Sequence, residues 1–261
     1  VIGDCKDSLK LITSKIEKKS HAKWISKFDD LMKIEFEKVI KSDLNPSKDG
    51  LTMGESIIAI NEYTKGDAII VTDVGQHQMV ACRYANFISS KSNITSGGLG
   101  TMGFALPAAM GAKMGALNRE VVAVIGDGGY QMTIQELGTI FQQQIAVKIV
   151  VLNNDFLGMV RQWQEFFHEG RYSESYTDSL PDFVKLAESY GIKGVRATQP
   201  EDLEKVIGDM IDYDGPVIAD ICVDEKENVF PMIPSGAAHN EMKLKDSDNI
   251  ATSTKEGKML V

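Results

Sequence analysis

Three short stretches of this 261-residue chain carry residue types that could do chemistry together. They are Asp73-Val74-Gly75-Gln76-His77, Gly126-Asp127-Gly128-Gly129 and Asn153-Asn154-Asp155, each at the end of an apolar run. Glycines let a backbone approach an anion closely. A helix starting just after them points free N–H groups at the same place, which suits phosphate. Asp127 alone would repel a phosphate there. A divalent cation between the two resolves the conflict, because Mg²⁺ takes about six oxygens, often from one or two protein groups plus substrate phosphates. Asn154 can add a neutral amide oxygen, and the Phe156 backbone carbonyl a third protein ligand. The same residues also make an ordinary glycine turn with a capping aspartate and a turn asparagine pair.

Other chemistries are less well supplied. Gly98-Leu99-Gly100-Thr101-Met102-Gly103 matches G-x-G-x-x-G. A dinucleotide fingerprint needs a strand just before it, and the preceding Ser89–Asn93 (SSKSN) is polar, so that reading is rejected. The four histidines show no H-E-x-x-H spacing, and only His77 stands at a strand end. No G-x-S-x-G elbow occurs. Cys5, Cys82 and Cys222 are widely spaced and form no C-x-x-C pair, against a disulfide scaffold or zinc ribbon.

The elements that must position these loops follow from hydropathy patterning. Ala68–Val74, Val121–Ile125, Val147–Leu152, Ile192–Ala197 and Pro216–Val223 read as strands. Before and between them, helices are predicted over Met53–Tyr63, Ala105–Ala116, Thr133 onward, Pro181–Tyr190 and Pro200–Ile211. Thr133 and Glu136 suggest a capping box, with Ile134, Leu137 and Phe141 as the buried stripe. Apolar strands alternating with helices imply an α/β fold, a mostly parallel sheet with helices on both faces. In such sheets ligands bind beyond the carboxyl ends of the strands, where all three polar stretches lie.

Two helical segments, Ser8–Ile16 and Trp24–Ile40, come first and are too small for a core of their own. Lys41–Gly50 (KSDLNPSKDG) reads as a connection. The expected units are 1–45, 46–240 and a polar, mobile tail 241–261. Lys+Arg 28 against Asp+Glu 37 gives a net charge of −9, unsuited to nucleic acid. No apolar run approaches the ~18 residues of a membrane span, so no membrane partner is expected, and the unpaired cysteine pattern suits a reducing cytoplasm.

Taken together, Gly126-Asp127-Gly128 and Asn153-Asn154 resemble the signature of thiamine-diphosphate (ThDP) enzymes. Asp73 to Met79 (DVGQHQM), Thr95 to Pro107 (TSGGLGTMGFALP), Leu157 to Trp163 (LGMVRQW), Arg171-Tyr172-Ser173 and Val229 to Met232 (VFPM) resemble the acetolactate synthase large subunit. The resemblance covers about Leu51 to Met242. It implies the ThDP-binding fold, in its diphosphate-binding domain. It also implies Mg²⁺ on Asp127, Asn154 and the Phe156 carbonyl. Gly126, Gly128 and Gly129 would cradle the diphosphate, with Gly75, Gln76 and His77 at the same end. The Gly100 carbonyl would meet the aminopyrimidine, and Met102 would wedge under the cofactor. Gly158, Met159 and Val160 would line its pocket, and Trp163 would favour a larger second 2-ketoacid.

The implied reaction is decarboxylation of pyruvate and transfer of the two-carbon unit to pyruvate or 2-ketobutyrate, on the route to valine, leucine and isoleucine. Implied partners are a second large subunit, in a homodimer or tetramer, and a small regulatory subunit. The family's activating Glu sits on an amino-terminal pyrimidine-binding domain and its FAD on a middle domain. Neither is found in these residues. Residues Val1 to about Lys41 resemble the tail of that middle region. The expectation is a C-terminal portion that binds ThDP weakly and does not turn over alone. The alternatives are another ThDP-dependent 2-ketoacid decarboxylase or oxidase, and a non-catalytic binding or assembly module on the same fold.

Overall fold

The computed structural model describes residues 2–44 and 50–246. Helices α1 (Cys5–Lys15) and α2 (Ala22–Glu35) come first, and a π-helical turn at Phe36–Ile40 leads into α3 (Lys41–Leu44). The helix thus runs into the stretch read as a connection, of which residues 45–49 lie outside the described residues. Then follow α4 (Met53–Thr64), β1 (Ile69–Thr72), α5 (Gln76–Tyr84), β2 (Asn93–Thr95), α6 (Ala105–Gly115) and β3 (Val121–Gly126). The chain continues with α7 (Asp127–Gln131), α8 (Glu136–Gln143), β4 (Lys148–Asn153), α9 (Gly158–Phe167) and α10 (Phe183–Ser189). It closes with β5 (Lys193–Ala197), α11 (Pro200–Ile211) and β6 (Val217–Cys222).

The six strands form one sheet in the order β2-β1-β3-β4-β6-β5, and every neighbouring pair is parallel. Successive side chains of a strand point to opposite faces. On β3, Val122 and Val124 therefore join one core layer with α4, α5 and α11, including Ile57, Ile60, Val80 and Ile207. Val121, Ala123 and Ile125 join the other layer with α6, α8 and α10, including Leu106, Leu137, Ile140 and Phe183. Two covered faces are why β1, β3, β4 and β6 read as nearly unbroken apolar runs. Burial of each such Val, Leu or Ile contributes about 1.5–3 kcal/mol. From β1 the chain passes to β2 on one side, then returns past β1 to β3 on the other. The switch point therefore lies between the carboxyl ends of β1 and β3.

Several local expectations are corrected. Thr133 does not cap α8. Its Oγ1 donates to the Gly103 carbonyl at 3.0 Å, and the first turn after β3 is taken by α7, which begins at Asp127 itself. A complete capping box stands instead at Thr52 and Glu55, ahead of α4. Phe141 is exposed, and Ile140 takes the buried place beside Leu137. The polar Ser89–Asn93 stretch leads straight into β2, whose Thr95 pairs with Thr72. Neither α1 nor α2 has a buried residue, and Leu9, Ile12, Trp24, Phe28 and Leu31 are exposed. Of the leading segment, Val39 is buried, against Phe230 and Met232. The beginning of the polar tail is held down, Lys243 pairing with Met232, while residues 247–261 lie outside the described residues.

The start of α4 also takes a long-range cap. Glu227 accepts from the Met53 N–H at 2.9 Å through Oε2. Burial pushes the Glu227 carboxyl up to about 8, and the nearby Asp43, Asp224 and Glu55 carboxylates reinforce it. A carboxyl raised in the folded state favours folding while it is protonated. That contribution is complete below the ordinary Glu value of about 4.3 and is lost as pH rises towards 8. Urea midpoints at pH 5 and pH 8.5 should fall less for Glu227→Gln than for the wild type, with the variant the more stable at pH 8.5.

Candidate cofactor site

Three strand ends converge on one cavity of about 210 Å³. The β1 end contributes Val74, Gly75, Gln76 and His77. The β3 end contributes Gly126, Asp127, Gly128 and Gly129. The β4 end contributes Asn154 and Phe156, followed by Leu157 to Val160 at the start of α9. Met102 reaches in from the loop before α6, and Met53 from the start of α4. Thirteen of the fifteen residues expected from sequence thus line a single space. Gly100 and Trp163 do not. Gly100 stands in an exposed loop near Val74, with a left-handed φ of 61°. Trp163 lies further along α9, packed on Phe167 with ring centroids 4.8 Å apart.

Asp127 is 1% exposed. Its Oδ1 accepts from the Gly128 N–H at 2.6 Å, and its Oδ2 is sealed from solvent without a partner. Burial lifts its carboxyl to about 6. The Gly128, Asn154 and Asp155 amides pull it down, and the Asp155 carboxylate pushes it further up. A buried acceptor left unpaired is costly, and a cation would satisfy it. Among the described residues no group of three or more His, Cys, Asp or Glu side chains could hold a metal. A cation here would therefore have one carboxylate, neutral oxygens and its ligand's phosphates, a donor set that fits Mg²⁺ better than zinc. The wall beside it is bare backbone. A Cβ on Gly128 would come within 2.6 Å of the Leu157 side chain and 3.6 Å of the Met102 methyl, so any side chain there would fill the cradle.

The polar walls are tied together. Gln76 donates through Nε2 to Gln162 Oε1 and to the Glu227 carbonyl, both at 2.9 Å. Its Oε1 accepts from Asn154 Nδ2 at 3.3 Å. A Cβ on Gly158 would lie 2.0 Å from that Oε1, so α9 can pack here with glycine alone. His77 Nε2 meets Asp73 Oδ1 at 2.5 Å, and Asp73 Oδ2 accepts from the Gly103 N–H at 2.9 Å. Gly100 donates to the Ser96 carbonyl at 2.8 Å. These two amides of the G-x-G-x-x-G loop are already engaged, and α6 opens only at Ala105. A strand does precede the loop, against the sequence expectation, but no helix opens directly from it.

Residues to which the sequence reading gave no role of their own hold the site from behind. Asp73 fixes both His77 and the glycine loop. Its signal was a charge closing the apolar run Ala68–Val74. Gln162, fully buried, grips both backbone groups of Val229 and Gln76 at once. Arg161, 2% exposed, bonds Glu165, the Glu227 carbonyl and Asn228. Both sit on α9, and their partners at residues 227–229 lie far along the chain, with no local cue in the sequence.

Comparison with known proteins agrees with this geometry. Residues 73–221 match the family described as thiamine pyrophosphate enzyme, C-terminal TPP binding domain. The acetolactate synthase large subunit of Lactococcus lactis subsp. lactis (strain IL1403) is 48% identical over 76% of this chain and 34% of its own length. That of Buchnera aphidicola subsp. Acyrthosiphon pisum (strain APS) is 39% identical over 95% of this chain and 44% of its own. A thiamine diphosphate-dependent 4-hydroxybenzoylformate decarboxylase of Rhodococcus jostii RHA1 superposes with a TM-score of 0.62. It has 27% identity over 67% of this chain and 33% of that one. The chain thus spans between a third and under half the length of these relatives. It belongs to the thiamine pyrophosphate enzymes and carries their C-terminal TPP-binding domain.

Proposed function

We propose that this chain is the diphosphate-anchoring part of an acetolactate synthase. The observation that carries the reading is the sealed, unpartnered Asp127 oxygen beside the glycine wall and Asn154. Asp127, Asn154 and the Phe156 carbonyl would hold Mg²⁺, and through it the diphosphate. Gly126, Gly128 and Gly129, with Gly75, Gln76 and His77, would take the phosphate oxygens. Met102, Met159 and Val160, with Gly158, would enclose the apolar body, and the Gly100 carbonyl would meet its pyrimidine end. When bound, thiamine diphosphate supplies an electron sink for breaking and making bonds at the carbonyl carbon of a 2-ketoacid.

The choice of acetolactate synthase over another ThDP decarboxylase rests on degree of likeness. Named acetolactate synthases match at 39–49% identity, the decarboxylase at 27%. Pyruvate and 2-ketobutyrate would then be the ketoacids, in branched-chain amino acid synthesis in the cytoplasm. Among the described residues no helix is long and apolar enough to cross a membrane. Residues 46–240 form the cofactor domain in this reading, 241–261 the tail. Residues 1–45 lead in from a neighbouring region, which suits the uncovered apolar faces of α1 and α2. Further copies of the large subunit and a small regulatory subunit complete the assembly. FAD, implied by the resemblance, has no residue of this chain assigned to it.

Among the described residues no Glu lines the cavity, and in this reading the family's activating Glu comes from elsewhere. Calorimetric titration should show Mg²⁺-dependent ThDP binding to the 261-residue chain, and Asp127→Ala should lose the Mg²⁺ dependence. Unchanged binding by that variant would remove the metal assignment. The same chain given pyruvate, Mg²⁺ and ThDP should release no acetolactate, and steady product from it would overturn the incomplete-site reading. In an enzyme carrying the rest of the family's architecture, Trp163→Leu should lower the 2-ketobutyrate preference. The drop should be on the order of tenfold, since an apolar contact to one methylene is worth only ~1–3 kcal/mol.

A further inference from the structure

A buried ionic chain beside the site has no part in the function proposed above. Asp220 lies on β6, 1% exposed, in a strand whose other residues are apolar. Its Oδ2 accepts from Arg196 Nε on β5 at 2.9 Å, and its Oδ1 accepts from Asn153 Nδ2 at 3.2 Å. Arg196 also reaches Asp182, the N-cap of α10, at 2.7 Å. An apolar residue at this position would fill the sheet without the cost of burying a charge. The charge therefore calls for a use.

Asn153 supplies one. A carboxylate only accepts, so Asn153 must turn its NH₂ to Asp220 and its oxygen the other way. There Asn153 Oδ1 accepts from the Asp155 N–H at 3.3 Å. Asp155 has φ 55°, a left-handed conformation that a side chain disfavours and a local bond must support. This turn carries both Asn154 and Phe156. We infer that Asp220 is a positioning residue. By fixing the Asn153 amide it holds the turn that presents the Asn154 side chain and the Phe156 carbonyl to a divalent cation. The inference rests on the cofactor reading above.

The test is titration of the whole chain with ThDP and Mg²⁺. Outer partners of metal ligands typically change affinity by about 10–100-fold, so Asp220→Asn should weaken binding by at least about tenfold. The double change Asn153→Asp with Asp220→Asn reverses the bond. The new carboxylate at 153 still accepts from Asp155 N–H, and the new amide at 220 donates to it while accepting from Arg196. The swap should bind to within about threefold of wild type, a non-additivity that a merely structural role would not give. Hydrogen exchange should rise in peptides covering residues 153–156 of Asp220→Asn, and the swap should restore it. Asn153→Ala, which leaves the Asp220–Arg196 pair in place, should show the same loss should Asp220→Asn not fold. Wild-type affinity in Asp220→Asn or Asn153→Ala, or a swap no better than the single change, overturns the proposal. If wild type binds, Asp127→Ala loses the Mg²⁺ dependence and Asp220→Asn keeps wild-type affinity, this inference alone fails. If wild type does not bind, the cofactor reading fails and the inference with it.

Discussion

Asp127 is a carboxylate closed off from water with one oxygen satisfied and the other left bare. Such a group is tolerated only where something else will complete it, and the surrounding fold is arranged around that need. Three loops must reach one point, and they can do so because every strand runs the same way. A parallel sheet gathers all its carboxyl ends on one edge, and the reversal between β1 and β3 opens a gap there. The two apolar layers hold the strand register that keeps Gly126 beside Leu152, so that the β3 turn and the β4 turn face each other.

The site is also closed by distant chain. Gln76, Gln162 and the Glu227 carbonyl meet in one knot although 86 and 151 residues separate Gln76 from its two partners. Arg161 and Gln162 fasten α9 to residues 227–229, and Glu227 returns to cap α4. The cavity wall is thus a meeting of the first, middle and last parts of the domain. Gln76 stands at that meeting and bonds Asn154 directly.

The strands and most helices were legible because burial on both faces writes itself as apolar runs and helical spacing. α11 follows its pattern from Pro200 to Ile211. The meeting of the three loops was legible too, since each closes an apolar run and a parallel sheet brings such ends to one edge. What escaped were choices settled in three dimensions. β2 is three mostly polar residues that become a strand only because β1 offers its edge. Thr133 matched a cap on paper, yet the Gly103 carbonyl lay within its reach. Asp220 and Arg196 looked like ordinary charged residues, because their pairing across β5 and β6 is invisible in either segment alone.

The two outer strands differ from the inner four. β2 is short with Asn93 exposed, and β5 carries Lys193 and Arg196. Short strands and charged side chains blunt an edge against pairing with another chain. Growth of this sheet by strand addition is discouraged at both of its edges. Contacts with further protein then fall more naturally to helices and loops, and among the described residues α1 and α2 carry a run of exposed large apolar side chains. A domain built this way can join a larger assembly through its helices while its sheet edges offer a poor template for fibrous stacking.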